Sequence, residues 1–486
     1  MLNNYIMDNK HKKYLDFYEN FDSNYDDNKY EYWGLGIENE SYLMFDKFDN
    51  MSKDFILNNH KRDRYSVDYY KNYKIDKLCE TLNKLDNVDM PIYINSYLLQ
   101  NTDLYGEPIN KYTKILTPNP KFCGKTIDTY IKENSNTITN LFKKYVVYDG
   151  DTIEFTTFNF YKTSVKDVIA ELLAIKNIYL DELNTVLYKQ GIFKHEIIYP
   201  KLNYGFVRYL TNMNNLGICN NGTYHLNITL PTTLNYNMDI KDINEFNSVH
   251  SNAIRAIQWM EPFLVALYGT PDILHLLNKD YAGGSLRLMM SRYIGLLTYD
   301  NMSMEFGKKL NDFDYEKKNH YFRELHKNSL YNPPYQIGYD INFNKFKKHG
   351  IELRIFDYFP EEYLEDIVNF IILLCQVSME KNIKNPLEDK LLFDVAIECL
   401  KKGSETLIPY ELYYKIKKIF NMNTFYPTFT KKEPKTVLYV LNKIANNLYS
   451  KYKDMPICKK MSPNMKPVIF TDYNSIVKNE FKKLLH

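Results

Sequence analysis

Gly34-Leu35-Gly36-Ile37-Glu38-Asn39-Glu40 alternates apolar and polar residues with a period of two. The period predicts a strand with Leu35 and Ile37 on one face and Glu38 and Glu40 on the other. Three more stretches share the design. In Asp149-Gly150-Asp151-Thr152-Ile153-Glu154-Phe155-Thr156, Ile153 and Phe155 oppose Glu154. In Tyr224-His225-Leu226-Asn227-Ile228-Thr229-Leu230, His225, Asn227 and Thr229 oppose Leu226, Ile228 and Leu230. In Gly350-Ile351-Glu352-Leu353-Arg354-Ile355-Phe356-Asp357, Glu352 and Arg354 oppose Ile351, Leu353 and Ile355. All four read as half-buried strands.

A single Glu-x-Glu strand is ordinarily a solvated face, and a lone His-x-Asn is ordinarily structural. Four separate strands with the same bias are a different matter. If they pair into one sheet, four carboxylates and an imidazole converge on one face. That much like charge is costly unless cations compensate it. Oxygen-rich surroundings suit Mg²⁺ or Mn²⁺, and Mg²⁺ usually brings substrate phosphates with it. The planar fork of Arg354 suits a carboxylate or phosphate oxygen.

In this order the four segments resemble the carboxylate–amine ligases of the glutamine synthetase superfamily, of the glutamate–cysteine ligase and amidoligase type. Gly36-Ile37-Glu38-Asn39-Glu40 matches the opening Gly-x-Glu-x-Glu strand. Glu154 matches a middle-strand glutamate, NNGTYHLNITLP (220–231) a turn feeding His-x-His or His-x-Asn, and GIELRIFD (350–357) a closing Glu-x-Arg strand. Weaker similarities run through Trp259–Asp272 and through Ala282–Leu296, whose Arg287 and Arg292 are similar to residues that contact phosphate or a substrate carboxylate. The resemblance covers roughly residues 30–375. One departure is His-x-Asn where many amidoligases carry two histidines.

The resemblance implies an α+β fold. Its core is a glutamine synthetase-like, curved, mostly antiparallel sheet with helices on one side, and the pattern of residues 386–486, outside the resemblance, adds a helical C-terminal lobe. It implies ATP-dependent amide-bond formation through an acyl phosphate, on an acid that is glutamate-like. Glu38, Glu40, Glu154, His225 and Glu352 become the metal ligands, for Mg²⁺ or Mn²⁺. Glu38, Glu352, Arg354, Arg287 and Arg292 become the catalytic candidates, and His225, Asn227 and Arg354 the ATP-binding ones. Partners are then small-molecule carboxylate and amine substrates, or a peptide or protein substrate. The rival is a catalytically retired ligase-fold protein with a structural or binding role.

The rest of the chain sets bounds. Its 486 residues allow a large core, and 62 Lys and Arg against 60 Asp and Glu leave a net charge of +2. This excludes a strongly basic nucleic-acid coat and a polyacidic disordered protein. The 45 tyrosines fit an AT-rich coding bias. Six scattered cysteines, with no Cys-x-x-Cys, argue against a disulfide scaffold or zinc ribbon. The N-terminal stretch lacks an apolar signal core, and the longest apolar run, Ile367–Val377, falls short of the ~20 residues a bilayer span needs. A cytoplasmic protein without a membrane partner is expected.

Three regions are expected: a polar lead-in at 1–30, the ligase-like domain at 31–380, and a basic helical lobe at 381–486. Residues 401–486 hold 17 lysines against six acids, so an acidic partner there is a minor alternative and nucleic acid an unfavoured one. Helices are expected over 164–190, capped by Ser164 and stopped by Gly191, over about 244–268, bent at Pro262, and over about 361–379. Residues 119–126 imitate a phosphate-binding loop but have Asn119 and Pro120 where its first glycine belongs.

Overall fold

The computed structural model describes residues 31–47, 93–101, 103–104, 125–149, 152–158, 163–204, 222–235, 240–291, 298–300, 308–309, 341–343, 350–386, 389–422 and 433–485. The architecture is α+β. Its main sheet contains β1 (Glu31–Ser41), β2 (Val146–Asp149), β3 (Thr152–Thr156), β4 (Thr223–Thr233), β5 (Thr298–Asp300), β6 (Lys308–Lys309), β7 (Ile341–Phe343) and β8 (Ile351–Asp357). The spatial order is β2-β3-β1-β4-β8-β7-β5-β6. The first six strands are joined by five antiparallel pairings, β7 pairs with β5 in parallel, and β5 pairs with β6 antiparallel.

The four segments singled out by alternation are therefore consecutive neighbours, β3-β1-β4-β8. Two details differ from the sequence reading. Residues 149–156 are not one strand, since Asp149 pairs with Thr152 and closes a β2–β3 hairpin across Gly150-Asp151. Gly-Asp between two strand-like runs is itself a hairpin signal. The second difference is a bulge in β8. Leu353 pairs with Leu226, yet Phe356 pairs with Tyr224, so Arg354 and Ile355 together oppose His225. The shift brings Asp357 into register with Thr223.

Helices back the apolar side of the sheet. α1 (Ile127–Asn134) and α2 (Asn136–Lys144) lead to α3 (Val165–Leu187). Ser164 caps α3 by accepting from the Asp167 amide, and its buried stripe includes Val168, Leu172, Ile175, Tyr179 and Leu183. α4 (Ile243–Tyr268) starts at the Asp242 cap and runs through Pro262. α5 (Leu286–Ser291) is short, and α6 (Leu364–Glu380) is apolar almost all round. A helix with that pattern is central to a core, and each buried Leu, Ile or Phe contributes about 1.5–3 kcal/mol. α3 packs on β1 and β3, α4 on β4 and β8, and α6 on both helices.

Beyond residue 381 come α7 (Lys390–Lys402), α8 (Tyr410–Ile419), α9 (Val437–Tyr452), α10 (Pro456–Met461) and α11 (Tyr473–Leu485). Their inner faces join the same core, with α7, α9 and α11 against α4, and α9 and α10 against α6. Asn474 of α11 is a fully buried clasp. Its Nδ2 donates to the carbonyls of Gly269 (2.9 Å), Gly283 (3.0 Å) and Gly284 (3.1 Å), while its Oδ1 accepts from the Ser404 amide (3.2 Å). Among the described residues no helix is long and apolar enough to cross a membrane. Cys375, Cys399 and Cys458 are buried free thiols, and burial pushes the Cys458 thiol up to about 12.

Candidate functional site

Cross-strand register puts the predicted polar residues on one face. Glu38 lies opposite His225, Glu40 opposite Glu154, and Glu352 opposite Asn227. Gly222 leads into β4 with φ +77°, where an added Cβ would meet the Glu40 carbonyl oxygen at 2.9 Å. That close approach seats the start of β4 beside the glutamates of β1.

The face is not wet, contrary to the half-buried expectation. Glu38, Glu40, Glu154, His225, Asn227 and Glu352 are all 4% exposed or less. Buried charge survives only when it is paired and hydrogen-bonded. Here the groups serve one another. His225 Nδ1 lies 3.0 Å from Glu38 and 3.7 Å from Glu352, and its Nε2 lies 3.1 Å from the Thr223 hydroxyl and 3.6 Å from Glu40. Arg354 Nη1 donates to Glu352 (3.0 Å), Asn342 Nδ2 donates to the other Glu352 oxygen (2.5 Å), and Thr156 donates to Glu154 (3.0 Å).

Burial, followed by the neighbouring Arg354 charge, holds the His225 imidazole below its ordinary range despite Glu38 and Glu40. A neutral ring is the form that ligates metal. Burial alone would lower Arg354, but Glu352, Glu40 and Glu38 outweigh it and hold the guanidinium above its ordinary value.

Two clusters have the compactness of a cation site. Glu38, His225 and Glu352 offer one ligand atom each, all within 4.8 Å of one another, and so do Glu40, Asp149 and Glu154. His225 stands between the clusters, with one ring nitrogen towards each. A carboxylate-rich set with one imidazole fits Mg²⁺ or Mn²⁺. A further observation points to a ligand oxygen. The Asn227 side-chain Nδ2 is buried and has no hydrogen-bond partner among the described residues. A donor in that state is costly unless an acceptor meets it.

Asp149 was not among the sequence candidates. The hairpin brings it beside Glu154, and the Gly-Asp pair in the sequence between the two strands was the signal that could have found it. Arg287 was a candidate for substrate contact, and the structure gives its guanidinium another task. It is 2% exposed, its Nε donates to Asp357 Oδ1 (2.7 Å), and its Nη2 donates to the Arg354 carbonyl (2.8 Å). The other predicted arginine, Arg292, lies outside the described residues.

Behind the sheet is a second ionic cluster that the sequence reading missed. Lys176 of α3 is buried, donates to Asn39 Oδ1 (2.6 Å), pairs with Glu361, and lies 4.3 Å from the Tyr199 ring centre. Asn39 alternates with Glu38 and Glu40, so this lysine grips the back of the strand that presents both glutamates. Burial pulls the Lys176 ammonium below its ordinary value. Burial would raise Glu361, but Lys176 prevails and holds its carboxyl below the usual range.

Comparison with known proteins adds a relative. An uncharacterized protein of Acanthamoeba polyphaga mimivirus is 40% identical over 466 residues, which is 93% of this chain and 80% of the viral one. The chain belongs to that viral protein's family. A match over 93% of the chain extends well beyond the four polar strands. No family model matches the chain. The viral relative's name assigns no chemistry, and the functional reading rests on the site itself.

Proposed function

We propose that the protein is an ATP- and Mg²⁺-dependent carboxylate–amine ligase with a glutamine synthetase-like catalytic sheet, acting on a glutamate-like acid. The observation that carries this reading is the meeting of Glu38, His225 and Glu352 from three different strands on one buried face, with Arg354 bonded to Glu352. The order of the motifs along the chain supports it as well.

Glu38, His225 and Glu352 would hold one divalent ion, and Glu40, Asp149 and Glu154 would hold another. A cation held there would supply positive charge against the phosphates of ATP. In the reaction a substrate carboxylate oxygen attacks the γ-phosphorus, and the bond to the bridging oxygen breaks, releasing ADP. The amine nitrogen then attacks the acyl carbon, inorganic phosphate leaves, and the amine gives up a proton. Such chemistry needs positioning and charge stabilisation more than a protein nucleophile. Arg354 supplies a fixed cation for the transferred phosphoryl oxygens. Asn227 supplies a directed donor to a nucleotide or substrate oxygen. Burial of the polar face excludes water, which would otherwise hydrolyse the acyl phosphate. It also supports a small acid and amine over a protein substrate.

The test is ADP release from Mg·ATP by purified protein, with glutamate and a pool of amines as acceptors and Glu352→Gln beside it. Release that depends on the acid and disappears in the variant is expected. Mg·ATP that neither turns over nor binds would sink the ligase reading in favour of a retired, structural protein.

A further inference from the structure

The bulge that aims Arg354 is held from behind. Asp357, three residues on and fully buried, accepts three hydrogen bonds on its two carboxylate oxygens. Its Oδ2 takes the Thr270 amide (2.8 Å) and the Ser285 hydroxyl (2.7 Å), and its Oδ1 takes Arg287 Nε (2.7 Å). The fourth link is indirect, because the same Arg287 donates Nη2 to the Arg354 main-chain carbonyl at 2.8 Å. A guanidinium can span two acceptors in one plane, which a lysine ammonium does not do. Arg287 therefore ties the bulged carbonyl to Asp357, and Asp357 ties it to the loop that follows α4.

We propose that Asp357 and Arg287 are positioning residues that fix the bulge at Arg354 and so aim its guanidinium at Glu352 and His225. The proposal rests on the ligase reading for its consequence in turnover, but its geometric content stands apart from it. A free bulge lets the Arg354 backbone rotate and its side chain leave the 3.0 Å contact with Glu352. Misplacing a catalytic group by about 1 Å can cost about 100-fold in rate. Both positioning residues act through Arg354.

The experiment is a double-mutant cycle on the full chain. Arg287→Lys keeps the charge, and Asp357→Asn keeps the shape and part of the acceptor capacity, so one can report if the other fails to fold. Circular dichroism checks the fold of each. In Arg287→Lys, kcat for acid-dependent ADP release is expected to fall about 100-fold with KM for Mg·ATP within about threefold. In an Arg354→Ala background, the same Arg287→Lys change is expected to cost less than about threefold more. Losses that multiply would mean that Arg287 acts independently of Arg354 and would overturn the proposal.

Crystal structures of Arg287→Lys and Asp357→Asn read the geometry without activity. Displacement of the Arg354 guanidinium from Glu352 is expected in both. An unmoved guanidinium overturns the proposal even if the wild type is an active ligase. Wild type without acid-dependent ADP release, together with a displaced guanidinium, overturns the ligase reading and leaves the positioning intact.

Discussion

Glu40 on β1 and Glu154 on β3 stand directly opposite each other across an antiparallel pair, and both are buried. Like charges in that relation destabilise a sheet. A divalent ion between them and Asp149 would reverse the sign. Chelator-treated protein should therefore gain several degrees in unfolding temperature on adding Mn²⁺, since a ligand at about 100 times its Kd contributes about 2.7 kcal/mol. Glu154→Gln should raise the metal-free midpoint and shrink the gain from metal. Scanning calorimetry with and without Mn²⁺ measures both, and a variant less stable than wild type in chelator would contradict this account.

Asn227 carries a buried amide donor that meets no acceptor among the described residues. Asn227→Leu should consequently stabilise the ligand-free protein by about 1 kcal/mol. The same change should weaken Mg·ATP or acid binding by roughly tenfold or more, because the donor then has nothing to give the ligand oxygen. Urea unfolding and titration calorimetry give the two halves. Unchanged affinity for both ligands would remove Asn227 from the binding machinery.

The Lys176–Glu361 pair sets an acid limit on stability. Glu361 has a folded pKa below its unfolded value of about 4.3. Its contribution is thus fully present above that value and is lost as pH falls through the lower folded one. Glu361→Gln should flatten the acid limb of the stability profile. It should cost about 2 kcal/mol at neutral pH, less than a fully buried pair would, because the Glu361 side chain keeps 22% exposure. Lys176 shifts downward too, so its own term rises with pH at the alkaline end and adds nothing to acid unfolding. Urea midpoints from about pH 3 to 9 decide, and parallel acid limbs in the two proteins would refute the assignment.

Asn474→Ala removes the donor that three carbonyls share and the acceptor that meets Ser404. Each buried group left without a partner costs about 1–3 kcal/mol. A loss of about 3 kcal/mol or more is expected in chemical denaturation. Asn474→Asp keeps the acceptor and faces the carbonyls with a charge, so it should be no better. A loss below about 1 kcal/mol would show that water replaces the clasp.

Much of this fold was legible in four short strings. Leu35, Ile37, Ile153, Phe155, Leu226, Ile228 and Leu353 are core residues where alternation put them, and the facing residues share the opposite side. Helix α3 begins at the Ser164 cap that the sequence announces. The burial of the polar face was not legible, because alternation distinguishes two sides of a sheet and says nothing of what covers either. The β8 bulge was hidden for a related reason. Glu-Leu-Arg-Ile keeps its period in sequence, and only pairing with β4 reveals the extra residue. Lys176 escaped notice beside Ile175 in an apolar stripe, where its partners Asn39 and Glu361 are far away in the chain. Arg287 was found as an arginine of interest, but its partner Asp357 gives it a task that no local pattern encodes.

The clasp at Asn474 also bears on the order in which the molecule can be made. The loop that it pins begins at Gly269, 205 residues earlier in the chain, and carries Thr270 and Ser285, which both donate to Asp357 of β8. A nascent chain emerging from the ribosome can pair β1 with β3 and β4 long before Asn474 exists. The carboxylates would then gather on a sheet whose arginine bulge still lacks its outer brace. Synthesis of α11 supplies the donor to the Gly269, Gly283 and Gly284 carbonyls, so the loop that donates to Asp357 gains this outer brace only some 205 residues after it has itself been made.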